Sequence, residues 1–125
     1  MSNADVTTFP TPIAQAKVRD QPHNIEAEQG LLGAILINNR AYEKVSDFLQ
    51  SEHFSDPIHG RIFEACGKLI ERGQIANPVT LKPIFDNEEA LVEAGGANYL
   101  VQLAASVVTV VNAEDYGKSI KDSFL

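Results

Sequence analysis

Several features that narrow a protein's function are scarce or missing in this sequence. Its 125 residues contain a single cysteine, Cys66, so no internal disulfide can form. The N-terminus lacks the charged and then apolar layout of a secretory signal, and no apolar run approaches the roughly 18 residues that a membrane span needs. We therefore expect one cytoplasmic domain in a reducing compartment, without membrane contact.

Basic residues are also scarce. The chain has 10 Lys and Arg against 17 Asp and Glu, which gives a net charge of -7. Residues 1–24 contribute nothing to this excess, because Asp5 and Asp20 balance Lys17 and Arg19. An acidic surface repels a phosphate backbone, and no basic stripe with interleaved aromatic residues occurs. The sequence therefore predicts no direct binding of DNA or RNA.

Catalytic patterns are missing as well. The phosphate-binding pattern G-x-x-x-x-G-K-[ST] does not occur. Cys66 falls among apolar positions of a helix, which favours a small core residue over a nucleophile. Glu26 and Glu28 stand two apart on a helix and cannot share a proton, so we interpret them as partners of the helix dipole. We predict no catalytic residue and no cofactor.

One cluster allows an alternative, a small helical metal-dependent enzyme. His53, Asp56 and His59 lie within seven residues of one another. Helical zinc ligands stand four residues apart on one face, however, and here His53 falls in a loop while His59 falls in the first turn of a helix. The favoured interpretation is polar residues at a helix start, with no metal.

The chain is organised around the stretch 22–38. Asn24 is a suitable N-cap, so we expect a helix from Ile25 with a wide apolar arc. Gly30 and Gly33 each cost about 1 kcal/mol relative to alanine inside a helix, which indicates another backbone passing close by. Residues 1–21 show no sustained periodicity and are predicted to form a flexible arm.

Two helices are predicted next. A short helix from Ala41 to Leu49 precedes a loop in which Phe54 is a buried anchor. The third helix has Asp56 as N-cap, Pro57 at its first position and Gly73 just past its end. The inward-facing residues of the two helices are Tyr42, Val45, Phe48 and Leu49, then Ile58, Ile62, Phe63, Cys66, Leu69 and Ile70.

Prolines complicate the segment after the third helix. Taking Thr80 as N-cap puts Pro83 in the first turn of a helix from Leu81 to about Asp86. A short helical segment, 88–94, then ends at the Gly95-Gly96 joint.

The remaining chain is predicted to hold two helices and a connector. A helix from Ala97 to about Ser106 has Tyr99, Leu100 and Leu103 on its apolar side. Val107 to Val111 is read as a buried connector, since no second strand is available to pair with it. Asn112 caps a last helix, with Tyr116 and Ile120 one turn apart, that still runs at Leu125. We therefore predict an all-α, compact bundle of about six helices, cut from something longer and acting as an assembly module.

The order of these features resembles the N-terminal domain of the bacterial replicative DNA helicase, the DnaB family. The resemblance covers about Pro22 to Leu125. The matching residues are Pro22, Asn24 to Gln29, Leu32 to Ala34, Phe54, His59, Ile62, Phe63, Val79 to Leu81, Gly95, Gly96, Tyr99, Leu100, Asn112 and Tyr116. Two stretches depart from the family pattern, the prolines Pro78 and Pro83 and the run Val107 to Val111.

The resemblance implies a non-catalytic domain, 22–125, that precedes a linker helix and an ATPase domain. In the family this domain forms a collar of paired subunits above a hexameric motor and docks primase. Primase contacts then map to Glu26 and Tyr99, although Glu26 also suits the helix dipole and Tyr99 also suits the core. A second rival is the helicase-binding domain of primase, which has a related fold; the run Ile25 to Gln29 favours the helicase.

Overall fold

A computed structural model describes residues 12–86, 88–106 and 113–124, with side chains from residue 25 onward except that of residue 90. Within these residues the chain forms only helices, which confirms the predicted all-α bundle. None of the helices in these ranges is long and apolar enough to cross a membrane. The elements are α1 (Pro12–Ile37), α2 (Arg40–Glu43), a 3-10 helix (Ser51–His53), α3 (Pro57–Glu71), α4 (Pro78–Phe85), α5 (Glu89–Ala94), α6 (Ala97–Ala105) and α7 (Ala113–Phe124).

Helix α1 is the element against which most of the others pack. It contacts α7, α6 and α3, and α6 in turn contacts α4 and α5. Leu31, Leu32 and Ile35 of α1 have no solvent exposure. Because each apolar side chain removed from water contributes about 1.5 to 3 kcal/mol, this arc of α1 is a main source of the stability of the bundle.

The predicted start of α1 is wrong. The helix begins at Pro12 rather than Ile25, and Asn24 lies inside it. Proline is a frequent but not obligatory helix boundary, and here the helix continues through Pro22. Residues 12–21 of the predicted arm are therefore helical and residues 1–11 lie outside the described ranges, so the division into an arm and a domain from residue 22 stays a prediction.

This longer helix also corrects the role assigned to two glutamates. The field of the helix dipole falls off within the first turn, and Glu26 and Glu28 stand about four turns from Pro12. Neither side chain serves the helix N-terminus. Glu26 and Glu28 lie on opposite faces of α1, and each acts through the groups that its own face meets.

Gly30 has a close neighbour of a different kind from the predicted backbone. A Cβ placed on Gly30 would stand 2.8 Å from Cε2 of Tyr116 in α7. The missing side chain thus lets an aromatic ring lie directly on α1, and the prediction of a passing backbone is wrong for this glycine. Gly33 is buried in the same helix.

The second helix is shorter than predicted, whereas the third matches its signals. Helix α2 ends at Glu43 and is followed by turns, although Val45 and Leu49 are buried as expected. At the start of α3 the Asp56 carboxylate accepts a bond from the Ile58 N–H at 2.9 Å. The chain leaves α3 through Gly73, whose φ is 79°.

Two further side-chain assignments around α3 are confirmed. Phe54 is buried ahead of the helix, and Cys66 has no solvent exposure. Burial raises the pKa of the Cys66 thiol to about 12, so the thiolate that a nucleophile requires does not form near neutral pH. Cys66 is therefore a small core residue.

The predicted cap of α4 is wrong. Asn77, not Thr80, caps the helix: the Asn77 side-chain oxygen accepts from the Thr80 N–H, and the Thr80 hydroxyl accepts from the Asn77 N–H, both at 2.9 Å. Pro78 takes the first helical position, where its missing N–H matters least. Pro83 consequently falls in the helix interior rather than in its first turn.

The glycine joint is confirmed. Gly95 and Gly96 have φ values of 122° and 66°, which only glycine adopts readily, and the Gly96 N–H closes α5 on the Leu91 carbonyl at 2.7 Å. Helix α6 then begins at Ala97. The predicted connector Val107 to Val111 and the cap Asn112 lie outside the described residues. Ile120 of α7 is fully buried, and Tyr116 is partly exposed.

Two glycines of α3 allow a matched test of its packing. A Cβ on Gly60 would stand 2.6 Å from the backbone carbonyl oxygen of Ser51, which cannot move without displacing the 3-10 helix. We expect Gly60→Ala to lower the free energy of unfolding by about 1 to 3 kcal/mol, despite the gain in helix propensity. Chemical denaturation measures the change.

Gly67→Ala is the control for that substitution. A Cβ on Gly67 would meet the far end of the Tyr42 side chain, at 2.5 Å from the hydroxyl oxygen and 2.9 Å from Cζ, and a side chain shifts more readily than backbone. The helix-propensity gain is the same at both positions. Gly67→Ala should therefore be less destabilising than Gly60→Ala, and the opposite order would contradict the packing described here.

Candidate partner-binding site

A carboxylate lies buried where α1 meets the start of α3. Glu28 has no solvent exposure, and one of its oxygens, Oε2, accepts bonds from the N–H and the hydroxyl of Ser55, both at 2.7 Å. The other oxygen, Oε1, is 2.8 Å from Nδ1 of His59 and 3.4 Å from the N–H of Asp56. His59 is fully buried as well.

These bonds keep Glu28 ionised. Burial alone would raise the pKa of the carboxyl, but the bonds from His59 and from the backbone and hydroxyl of Ser55 outweigh it, so the pKa lies below the ordinary value of 4.5. An ionised carboxylate only accepts hydrogen bonds. The arrangement therefore requires that Nδ1 of His59 carry a proton.

The network continues from His59 to the surface of α6. Nε2 of His59 is 2.6 Å from the hydroxyl oxygen of Tyr99, and the two rings are nearly parallel, at 9°, with centroids 5.9 Å apart. Gln29 donates a longer bond, 3.4 Å, to the same oxygen. Tyr99 is half-buried, so its hydroxyl joins the fully buried pair Glu28 and His59 to the exterior.

The two residues predicted to bind a partner lie on neighbouring parts of the surface. Glu26 is exposed on α1, three residues before Gln29, whose side chain reaches Tyr99. Glu26 also lines a cleft of about 460 Å³ between α1 and α7, together with Ala27, Asp115, Tyr116 and Ser119. Tyr99 does enter the core network, as its alternative interpretation required, yet it keeps an exposed edge.

Each side chain of the suggested metal cluster already has a structural contact. Nδ1 of His53 accepts a bond from the Gln50 N–H at 2.9 Å, and its ring packs edge-on against Phe124. Asp56 caps α3, and His59 bonds to Glu28. In the ranges that the structure describes, no group of three or more His, Cys, Asp or Glu residues is placed to hold a metal ion.

The sequence interpretation missed the pair Glu28 and His59, but a signal for it was present. Glu28 stands four residues before Leu32, and His59 stands four residues before Phe63, so both lie in line with buried apolar positions. A charged residue on an apolar stripe is buried at high cost unless it is paired. Two such positions in one short chain point to each other as partners.

Comparison with known proteins fits this helical arrangement. Residues 20–122 match the family described as DnaB-like helicase N terminal domain. The chain belongs to this family. The resemblance to the DnaB family drawn from the sequence is thereby confirmed.

Several DnaB relatives are similar over the same region. The chain is 48% identical over 101 residues to the replicative DNA helicase DnaB of Rickettsia felis, which covers 81% of this chain and 20% of that protein. It is 36% identical over 104 residues to the DnaB of Geobacillus stearothermophilus, covering 83% and 23% of the two chains. The chain thus spans about a fifth of the length of these relatives.

A solved structure of a DnaB domain has the same fold. The crystal structure of the N-terminal domain of DnaB helicase from Mycobacterium tuberculosis superimposes with a TM-score of 0.71 at 32% identity. The match covers 80% of this chain and 72% of that one. The bundle described here is therefore the DnaB N-terminal helical domain.

The buried carboxylate of Glu28 yields a test by pH. Glu28→Gln removes a buried charge bonded to Ser55, Asp56 and His59, so we expect the free energy of unfolding at pH 7 to fall by about 1 to 3 kcal/mol. A depressed pKa stabilises the fold above the ordinary value of 4.5, and this stabilisation is lost as the pH falls through the folded-state pKa. The difference between wild type and variant should therefore shrink on acidification below about pH 4.5.

Glu26→Gln is the matched control for this experiment. The same substitution two residues earlier removes an exposed carboxylate and should change the free energy of unfolding by less than about 0.5 kcal/mol at any pH. Denaturant titrations between pH 3 and 7 measure both variants. An equal effect at the two positions would show that Glu28 is not a paired, buried charge.

Proposed function

We propose that this chain is the non-catalytic N-terminal domain of a replicative DNA helicase, which associates with sister subunits in a hexamer and docks primase. The observation that carries this proposal is membership of the DnaB-like helicase N terminal domain family over residues 20–122. The relatives that match are replicative DNA helicases, and they match over about a fifth of their length. Their remaining length has room for a linker and a motor.

The primase contact is proposed at Glu26 and Tyr99. Glu26 is exposed at the rim of the cleft between α1 and α7, where its charge can meet a basic group of a partner. Tyr99 combines an apolar ring with a hydroxyl, a combination enriched at protein interfaces. Helix α1 supplies Glu26 and Gln29 to this surface, so a single partner can contact both residues.

Association with sister subunits is proposed to use apolar surface elsewhere on the bundle. Val79 and Ile75 are 78% and 65% exposed, and Ile84 is 50% exposed. These side chains belong to α4 and the segment before it. Exposed apolar side chains mark a surface that another protein covers when they form one contiguous patch.

The rival functions have less support. The relatives are helicases, which favours the helicase over the helicase-binding domain of primase. The metal-dependent enzyme would need His53, Asp56 and His59, whose side chains are already engaged in the fold. The net charge of -7 disfavours direct contact with DNA or RNA. A replicative function also agrees with the expected cytoplasmic location.

Charge reversal at Glu26 tests the primase contact. We expect Glu26→Lys, introduced into the hexameric helicase, to weaken binding of the C-terminal domain of the primase from the same organism by tenfold or more, because an interfacial attraction becomes a repulsion. The melting temperature should stay nearly unchanged, since the residue is exposed. Calorimetry measures the affinity, and differential scanning measures the stability.

Glu89→Lys supplies the control for that experiment. It makes the same change of charge at an exposed position of α5. The primase affinity of this variant should equal that of wild type within about a factor of two. If both variants weaken binding alike, net charge rather than a contact at Glu26 governs the affinity.

The absence of catalysis is tested directly on the purified 125-residue chain. We expect no ATP hydrolysis above the rate of buffer, because the sequence has no phosphate-binding loop. A coupled phosphate-release assay with single-stranded DNA present checks this. Hydrolysis that follows the protein through two chromatographic steps would contradict the proposed function.

A further inference from the structure

The buried pair Glu28 and His59 leads to a conclusion about the surface of this domain. We propose that Glu28 and His59 fix the direction of the Tyr99 hydroxyl bond, so that the partner group facing Tyr99 is a hydrogen-bond donor. The proposal rests on the proposed function, in which Tyr99 contacts primase. It makes the two buried residues positioning residues for that contact.

The buried carboxylate of Glu28 requires hydrogen-bond donors. Glu28 is ionised and accepts bonds from two groups of Ser55 and from the backbone of Asp56. An ionised carboxylate has no proton to give. His59, at 2.8 Å from Oε1, must therefore place its ring proton on Nδ1.

In the proposed arrangement His59 is a neutral imidazole with a single ring proton. When Nδ1 carries the proton, Nε2 has a lone pair in the ring plane and accepts. The Tyr99 hydroxyl oxygen stands 2.6 Å from Nε2, within hydrogen-bond distance of that lone pair. Tyr99 therefore donates its proton inward, to His59.

The Tyr99 hydroxyl offers a partner only the hydrogen-bonding capacity that His59 and Gln29 do not use. Burial is the main cause that raises the pKa of Tyr99, and the charges of Asp56 and Glu28 add to it against the lowering bond from Gln29, so the hydroxyl keeps its proton at neutral pH. With that proton directed to His59, only lone pairs face outward. Gln29 uses one of them weakly, at 3.4 Å. A lysine, arginine, amide or backbone N–H of the partner fits what remains.

A single substitution reverses this chain of bonds. In Glu28→Gln the amide oxygen can still accept from Ser55, while the amide nitrogen faces Nδ1 of His59 and donates to it. The ring proton then moves to Nε2, which donates to the oxygen of Tyr99. The proton of the Tyr99 hydroxyl then points toward the partner. The hydroxyl and the donor group of the partner face each other as two donors.

The ring proton itself is the first measurement. Long-range nitrogen-proton NMR on the 125-residue chain at neutral pH should show His59 with a protonated Nδ1 and an unprotonated Nε2. The pattern should reverse in Glu28→Gln. A wild-type ring protonated on Nε2 would overturn the proposal, whatever the variants do.

Binding is the second measurement, on the hexameric helicase with the C-terminal domain of the primase from the same organism. Tyr99→Phe and Glu28→Gln should each weaken binding about three- to tenfold, the range for one hydrogen bond. The double variant, with both Glu28→Gln and Tyr99→Phe, should bind no more weakly than Tyr99→Phe alone. Without the Tyr99 hydroxyl, the position of the His59 ring proton no longer affects the contact with primase. Additive losses would overturn the proposal.

Ser55→Ala separates positioning from mere stability. It removes one of the bonds to Glu28 and should lower the melting temperature, but it leaves the charge and the ring proton of His59 in place. Its primase affinity should equal that of wild type. If it weakens binding as much as Glu28→Gln does, the network acts only through stability and the proposal fails.

The result with Tyr99→Ala distinguishes this proposal from the proposed function. If Tyr99→Ala weakens binding while Tyr99→Phe and Glu28→Gln do not, the ring is the contact and the hydroxyl proposal is overturned. If Tyr99→Ala binds as wild type, the proposed primase contact at Tyr99 fails and this proposal fails with it. If Glu28→Gln does not fold, two measurements still test the proposal: the position of the His59 ring proton in wild type, and the primase affinity of Tyr99→Phe.

Discussion

A carboxylate enclosed by protein must be matched by donors, and this requirement at Glu28 ties three elements of the bundle together. The residue belongs to α1, its donors include Ser55 and Asp56 at the start of α3, and His59 extends the network to Tyr99 of α6. An unmatched buried charge would cost several kcal/mol, so these elements are held in one relative position. The apolar core supplies most of the stability, and the hydrogen bonds of Glu28 and His59 fix the geometry.

Signals close together in the sequence predicted the fold well. Asp56, Gly73 and the Gly95-Gly96 joint act within a few residues of the backbone that they shape, and each lies where expected. The start of α1 was missed because Asn24 suits an N-cap, although it lies inside a helix that already runs from Pro12. The cap of α4 was missed because Asn77 and Thr80 both suit a cap, and only their mutual bonds select Asn77.

The candidate site was harder to predict, because its bonds join distant parts of the chain. Glu28 and His59 are 31 residues apart, and His59 and Tyr99 are 40 apart. Periodicity identifies a polar residue on an apolar face but does not name its partner. Glu26 and Tyr99 came from family resemblance, which gave their positions without revealing that Tyr99 is bonded to a buried histidine.

The alternation of Glu26 and Glu28 along α1 has a consequence for how such a domain can change over evolutionary time. The outward residue, Glu26, is exposed, so its replacement is limited mainly by the surface that it meets. The inward residue is constrained by its donors in α3 and by the histidine beyond, and any replacement must satisfy all of them at once. A lineage can thus alter its recognition of a partner by changes two residues away from a position that it must leave intact.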